Sequence, residues 1–248
     1  MCAACVASLL LFPRVADPDA GRPAGRDGGT AAVDRLATAG GGLDDGAGPV
    51  DADGVQRRVG SGEAAAVSLT FDDGPDPRWT PAVLDLLRRY RVRATFCLVG
   101  RHVTAYPDLV RRIATDGHLL CDHTWSHDGA LDRRGRAAVR AELTRAYDAI
   151  TTAAGVRPRY FRAPGGRWSP AVVSEARRLR LRPLGWSVDP KDWTKPPAVE
   201  ITRRVLTGTS AGDIVLPHDG YGDRSRTVAA LRTILATLTA RRLTLTTP

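Results

Sequence analysis

A chain of 248 residues with 36 Lys+Arg, 27 Asp+Glu and a net charge of +9 has room for one sizeable domain and a tail. The charge is unevenly held: residues 1–62 carry 6 Arg against 8 Asp, a net of −2, so residues 63–248 carry 30 basic against 19 acidic groups, a net of +11. Such a surface suits a polyanionic setting, a cell wall rather than a nucleic acid, because no RNA- or DNA-reading motif accompanies it.

Residues 1–12 are apolar. The run is too short to span a bilayer. It resembles the apolar part of a secretory leader, although no basic residue precedes it, as a misplaced start would explain. The expectation is an extracellular or wall-associated protein rather than a cytoplasmic one, with no stable membrane span. Cys2 and Cys5 form a lone Cys-x-x-Cys with no second pair to complete a zinc site. Residues 15–62 are rich in Gly, Ala and Asp, lack periodicity and read as a flexible linker, which leaves 63–248 for the folded domain.

From residue 65 onward, short apolar runs alternate with helical periods. The first strand, 65–71, ends in Asp72-Asp73 and is stopped by Gly74-Pro75. Thr80 is placed to cap a helix that has Pro81 at its first position and Val83, Leu84 and Leu87 inward. Strand two covers 94–99. Pro107 opens a helix with Leu109, Val110 and Ile113 on one face and Gly117 as its stop. Strand three, 118–121, precedes a long helix over 136–154, with Val139, Leu143, Tyr147 and Ile150 in register. Strand four is 160–162, and Ser169-Pro170 caps the next helix. Strand five is 184–188, a helix covers 197–206, strand six is 213–216, Ser225 caps the last helix and strand seven is 243–245. Seven such alternations argue for a parallel sheet with helices outside. Every unusual polar cluster follows a strand rather than a helix, which favours a closed barrel over an open sheet, since barrel sites gather at the strands' C-terminal ends.

Those clusters carry chemistry. Asp122-His123-Thr124-Trp125-Ser126-His127 places two histidines four apart, the spacing of two nitrogen ligands on one helical turn. With a carboxylate from Asp72 or Asp73 they make three ligands and an open fourth position, the pattern of a catalytic metal. Arg162-Ala163-Pro164-Gly165-Gly166 supplies a buried arginine in need of a carboxylate, again Asp72 or Asp73, and amide N–H groups free to face a reacting oxygen. Asp189-Pro190-Lys191-Asp192-Trp193 sets two carboxylates beside an aromatic ring. Leu216-Pro217-His218 ends the sixth strand in a histidine able to act as general acid.

In this order the five stretches resemble the polysaccharide deacetylase family, the NodB-homology or carbohydrate esterase family 4 domain, over about residues 65–245. The resemblance implies a distorted (β/α) barrel of about seven parallel strands. It implies metal-dependent removal of N-acetyl groups from a GlcNAc-containing polysaccharide such as peptidoglycan or a chitin-like polymer. It assigns Asp72 as general base and Asp73, His123 and His127 as ligands of one divalent metal, zinc first, with cobalt or nickel as alternatives. His218 would be the general acid, Arg162 would orient Asp72, and Asp192, ahead of Asp189, would tune His218. The Gly165 N–H would face the oxyanion, and Trp193 and Leu216 would shape the acetyl pocket. In one departure, Gly165 stands where the family often carries an aromatic, which removes a sugar-stacking surface.

Three other readings compete. An O-acetyl esterase on acetyl-xylan needs the same site. A glycosidase using Asp189 and Asp192 leaves the paired histidines unexplained. A sugar-binding pseudoenzyme sits badly with complete motifs. Cys97 and Cys121 fall on consecutive strands, which in a parallel barrel lie ~4.8 Å apart, so they are expected either to form a disulfide or to pack as two small apolar residues.

Overall fold

The computed structural model describes residues 48–60 and 65–248. Its elements alternate: β1 (Ala66–Gly74), α1 (Thr80–Tyr90), β2 (Thr95–Leu98), α2 (Gly100–Ala105), α3 (Pro107–Thr115), β3 (Leu119–Asp122), α4 (Arg136–Ala154), β4 (Tyr160–Phe161), α5 (Pro170–Arg178), β5 (Arg182–Pro183), α6 (Ala198–Gly208), β6 (Ile214–Val215), α7 (Ser225–Ala240) and β7 (Thr244–Thr246). All strand pairs are parallel, in the order β5-β4-β3-β2-β1-β6. Strand β7 joins the N-terminal half of β1, where Ser68 pairs with Thr246 on one side and Ile214 on the other.

This is the distorted (β/α) barrel, and the distortion lies between β5 and β6. There the ring closes through a single Val188–Val215 bridge and through the chain's own upstream segment. Gln56 bridges Leu184, and Arg58 bridges Asp213. Val55 and Gln56 are fully buried, and Val59 joins the barrel interior. Residues 48–60 are therefore part of the barrel wall rather than linker, so the domain boundary lies upstream of residue 63. The composition hid this because Gly and Asp set the turns while only three side chains, those of Val55, Gln56 and Val59, are buried. The expected leader and the rest of the linker lie outside the described residues.

Burial sorts the strand residues by parity. Val67, Leu69 and Phe71 of β1 face an outer core shared with α1, α3, α6 and α7. Ala66, Cys97, Cys121, Tyr160, Leu184 and Ile214 fill the interior. Cys97 and Cys121 are register partners on β2 and β3 and are joined as a disulfide. A second outer core sets α4 against α5 through Val139, Leu143, Val172 and Ala176.

Helix α4 spans the predicted residues, and Ser169 caps α5 by accepting from the Val172 N–H at 3.3 Å. Thr80 and Ser225 are not caps; each is the first residue of its helix, with no side-chain cap at the residue before it. The Thr80 hydroxyl is used elsewhere, accepting from Asp76 N–H at 2.8 Å and donating to Asp219 Oδ2 at 2.5 Å. Helix α2 has no sequence signal of its own. No described helix is long and apolar enough to cross a membrane.

Candidate active site

Asp72 and Asp73 are consecutive on one strand, so a regular β1 would send them to opposite faces. The register breaks between them: Asp72 pairs with Cys97, while Gly74 pairs with Leu98. Asp73 is the extra residue and sits at φ +77°, a bulge that re-aims its side chain. Both carboxylates then reach the same ring. His123 Nε2 lies 3.6 Å from Asp72 Oδ2 and 3.6 Å from Asp73 Oδ1.

The histidine pair does not ride a helical turn, contrary to the spacing argument. The 123–127 stretch is irregular, with Thr124 at φ +67° and His127 at φ +58°. Local polar bonds outcompete a helix there. Asp122 Oδ1 accepts from Thr124 N–H at 2.8 Å, Thr124 Oγ1 accepts from His127 N–H at 3.0 Å, and Trp125 N–H is drawn to Glu142 O on α4 at 3.1 Å. The rings nevertheless meet, with centroids 5.0 Å apart.

His123 Nδ1 lies 2.8 Å from the Arg162 carbonyl, which can only accept, so Nδ1 carries a proton and Nε2 is the ring nitrogen that faces the two carboxylates. Asp73 Oδ1 is buried and has no hydrogen-bond partner among the described residues. Its neighbours are His127 Nε2 at 3.3 Å and His123 Nε2 at 3.6 Å. One oxygen and two ring nitrogens, all within 4.8 Å of one another, fit a shared cation. Charge agrees: burial raises the Asp73 pKa, but the His123 ring and the charges of His218, His123 and His127 outweigh it and hold the group at about 2.

Asp72 faces the interior and meets Arg162, a fully buried arginine at the end of β4. Arg162 Nη1 donates to Asp72 Oδ1 at 2.7 Å and to Thr70 Oγ1 at 2.9 Å. Its Nε and Nη2 donate to the Leu184 and Gly185 carbonyls at 3.1 and 2.8 Å. All three guanidinium nitrogens donate, so the Asp72 carboxylate is fixed in place.

Across the mouth, β6 continues toward β1 through an Asp72–His218 bridge. His218 Nδ1 bonds Asp192 Oδ1 at 2.7 Å, and its backbone N–H donates to Asp192 Oδ2 at 2.9 Å. Thr227 Oγ1, on α7, donates to the same Oδ2 at 2.8 Å. Burial depresses the His218 pKa, but the Asp192 hydrogen bond and charge, with Asp73 and Asp72 behind, raise it to about 9. At neutral pH His218 holds a proton on Nε2. Asp189 is elsewhere, accepting from Lys191 N–H at 2.7 Å to shape its own loop. Asp192 is therefore committed to His218 and unavailable as half of a glycosidase pair.

Gly165 sits at φ +61° with nothing within 4 Å of where a Cβ would project. In its turn Gly166 N–H donates to Ala163 O at 2.9 Å and Arg167 N–H to Pro164 O at 3.3 Å, while the Gly165 N–H has no such acceptor among the described residues. Leu216 is buried two residues before His218, and Trp193 is exposed one residue after Asp192. Sequence reasoning missed four residues here. His102 of α2 bonds the Asp73 carbonyl through Nδ1 at 2.8 Å. Asp219 is fully buried, and burial pushes its pKa up to about 7. Arg224 lies buried 3.9 Å from Asp73 Oδ2. Tyr221 packs on His102 and His127 at centroid distances of 4.8 and 5.1 Å. For Asp219, Tyr221 and Arg224 the available signal was the polar run Asp219-Gly220-Tyr221-Gly222-Asp223-Arg224, directly after His218.

A parallel barrel here sets two carboxylates, two histidines, a buried arginine and an Asp–His pair on one rim, a hydrolase-like set with three residues able to hold a cation. Comparison with known proteins narrows the class. The polysaccharide deacetylase profile matches residues 60–184, and the chain belongs to that family. It is 36% identical over 189 residues to a chitooligosaccharide deacetylase of Azorhizobium caulinodans, covering 71% of this chain and 90% of that one. A solved peptidoglycan N-acetylglucosamine deacetylase superposes with a TM-score of 0.71 at 34% identity, covering 74% of this chain and 86% of that one. A family 4 carbohydrate esterase pseudoenzyme of Bacillus anthracis superposes with a TM-score of 0.72 at 25% identity, covering 77% and 66%. The fold alone therefore does not secure activity; the side chains of the site decide it.

Proposed function

We propose that the protein removes N-acetyl groups from a GlcNAc-containing polysaccharide, peptidoglycan or a chitin-like polymer, with one divalent metal, zinc first. The observation that carries this is the orphaned Asp73 Oδ1 facing two histidine nitrogens, 3.3 and 3.6 Å away, beside an arginine-held Asp72.

Asp73, His123 and His127 would hold the metal, which when bound supplies Lewis-acid polarisation of the acetamide and a more acidic water. Asp72 accepts the proton of the attacking water. Arg162 keeps that carboxylate aimed by donating from Nη1 to Oδ1 at 2.7 Å. The Gly165 N–H is available to the oxygen on which charge develops. His218 gives its Nε2 proton to the departing amine, and Asp192 holds the imidazolium in that orientation. Trp193 and Leu216 flank the acid and contribute to the acetyl pocket.

The same groups serve an ester, so O-deacetylation of acetyl-xylan is the second reading, separated from the first only by substrate. We place the protein outside the cytoplasm, a setting supported by the Cys97–Cys121 disulfide. The deciding experiment measures acetate release from acetylated peptidoglycan, chitooligosaccharides and acetyl-xylan. It is run after removal of metal by a chelator and again after zinc, cobalt or nickel is returned. Activity on the N-acetylated polymers that disappears with the metal and returns with it is the expected result. Activity indifferent to the chelator refutes the mechanism, and new reducing ends would mark a glycosidase.

A further inference from the structure

We propose that Tyr221 is a sugar platform: its open ring face seats a pyranose ring of the polymer next to the acetyl group being removed. The proposal rests on the deacetylase reading and adds a binding residue to it. Tyr221 is 43% exposed, yet its ring is anchored at the metal-ligand cluster, against His127 and His102. His102 in turn bonds the Asp73 carbonyl, so the ring stands at a fixed place relative to the proposed ligands.

The backbone argues the same way. Tyr221 has φ +51°, a conformation that favours glycine, so the fold by itself gives no reason for a tyrosine there. The loop is held on several sides. Arg224 Nε donates to the Gly220 carbonyl at 2.6 Å and Nη2 to the Tyr221 carbonyl at 3.0 Å. Trp79 Nε1 donates to the Gly222 carbonyl at 2.7 Å. At Gly220 a Cβ would lie 2.1 Å from Asp73 O, so the loop is pressed against β1. A ring presented on a rigid loop loses little entropy when a ligand covers it, and its electron-rich face suits the C–H groups of a sugar. Across the site, Gly165 offers no ring, and a side chain there would meet open space. The stacking surface lies on the β6 side of the mouth instead.

The test uses zinc-loaded Asp72→Asn protein and chitotetraose, with binding read by calorimetry so that no turnover is needed. Adding Tyr221→Gly, which relaxes the backbone as it removes the ring, should weaken binding about tenfold, while Tyr221→Phe or Tyr221→Trp retains it. Zinc affinity, measured by chelator competition, should show no comparable loss. In the otherwise unaltered enzyme, Tyr221→Gly should raise KM for the oligomer more than it lowers kcat, and should cost more on the oligomer than on phenyl acetate. Undiminished oligomer binding, a loss wholly tracked by weaker zinc binding, or no binding by the Asp72→Asn parent overturns the platform. Absence of acetate release by the unaltered enzyme from a polymer it binds overturns the deacetylase reading alone.

Discussion

The two ends of the barrel are built by different rules. At the end where the strands begin, the wall segment's backbone and charged groups are matched, and the buried side-chain atoms left without partners are neutral hydroxyls, Ser68 Oγ, Thr95 Oγ1 and Thr209 Oγ1. Gln56 N–H meets Pro183 O at 2.9 Å, Gly185 N–H meets Gln56 O at 2.7 Å, Val59 N–H meets Gly212 O at 2.9 Å, and Arg58 pairs with Asp213. At the rim where the strands end, Asp73 Oδ1, Asp122 Oδ2, Asp219 Oδ1 and Arg224 Nη1 are buried without partners among the described residues. Positive φ angles divide likewise. Arg91, Arg180 and Arg242 end helices, where the left-handed conformation is ordinary. Asp73 lies in the β1 bulge, and Thr124, His127, Lys191, Lys195 and Tyr221 lie in loops of the rim. One end leaves only neutral hydroxyls unmet; the other holds left-handed loop backbone and unmet charged groups, as a binding site requires. Changes at the rim should therefore cost activity, and changes at the opposite end should cost stability.

The largest effect expected is at the rim. Asp72→Asn and His218→Ala should each lower kcat by ~10²–10⁴-fold, since each removes a proposed general acid–base group. Turnover close to that of the unaltered protein in either variant would break the contrast. At the other end, Val59→Ala leaves a hole in the interior core and should cost about 2 kcal/mol of stability, read from denaturant unfolding, with kcat unchanged. A matching fall in kcat would show the two ends to be coupled.

The smallest effect concerns pH. His218 has a folded-state pKa near 9, above its ordinary value. Its pairing with Asp192 thus contributes stability in full below about pH 6.5 and loses it as pH rises through about 9. The acid role follows the same sign: activity should fall on the alkaline side near that value. Asp192→Asn removes the main raising influence, so the alkaline limb should move toward neutrality. A limb that stays in place assigns it to another group.

Much of this architecture was legible in the sequence because its signals are local. Apolar period alone set α4, Ser169 next to Pro170 set the start of α5, and polar clusters after apolar runs located the rim. What was not legible is long-range. The Asp73 bulge arises from pairing with β2, and sequence spacing is silent about which of two adjacent aspartates turns outward. Helix α2 spans only 6 residues, Gly100–Ala105, too few to show a period, so His102 passed unnoticed. Tyr221 and Arg224 lie in a Gly- and Asp-rich stretch that reads as a plain turn until β1 is packed against it. The wall segment at 48–60 contributes single bridges rather than a strand, which no periodicity registers.

That wall segment has a consequence for any shortened form of the protein. The family match begins at residue 60, after Gln56 and Arg58 have already made their bridges to Leu184 and Asp213. A chain trimmed to begin at residue 60 keeps every catalytic candidate but uncovers the facing edges of β5 and β6. Bare strand edges recruit strands from other molecules. The trimmed form would then be lost to self-association at high concentration, while a form beginning at residue 48 stays dispersed.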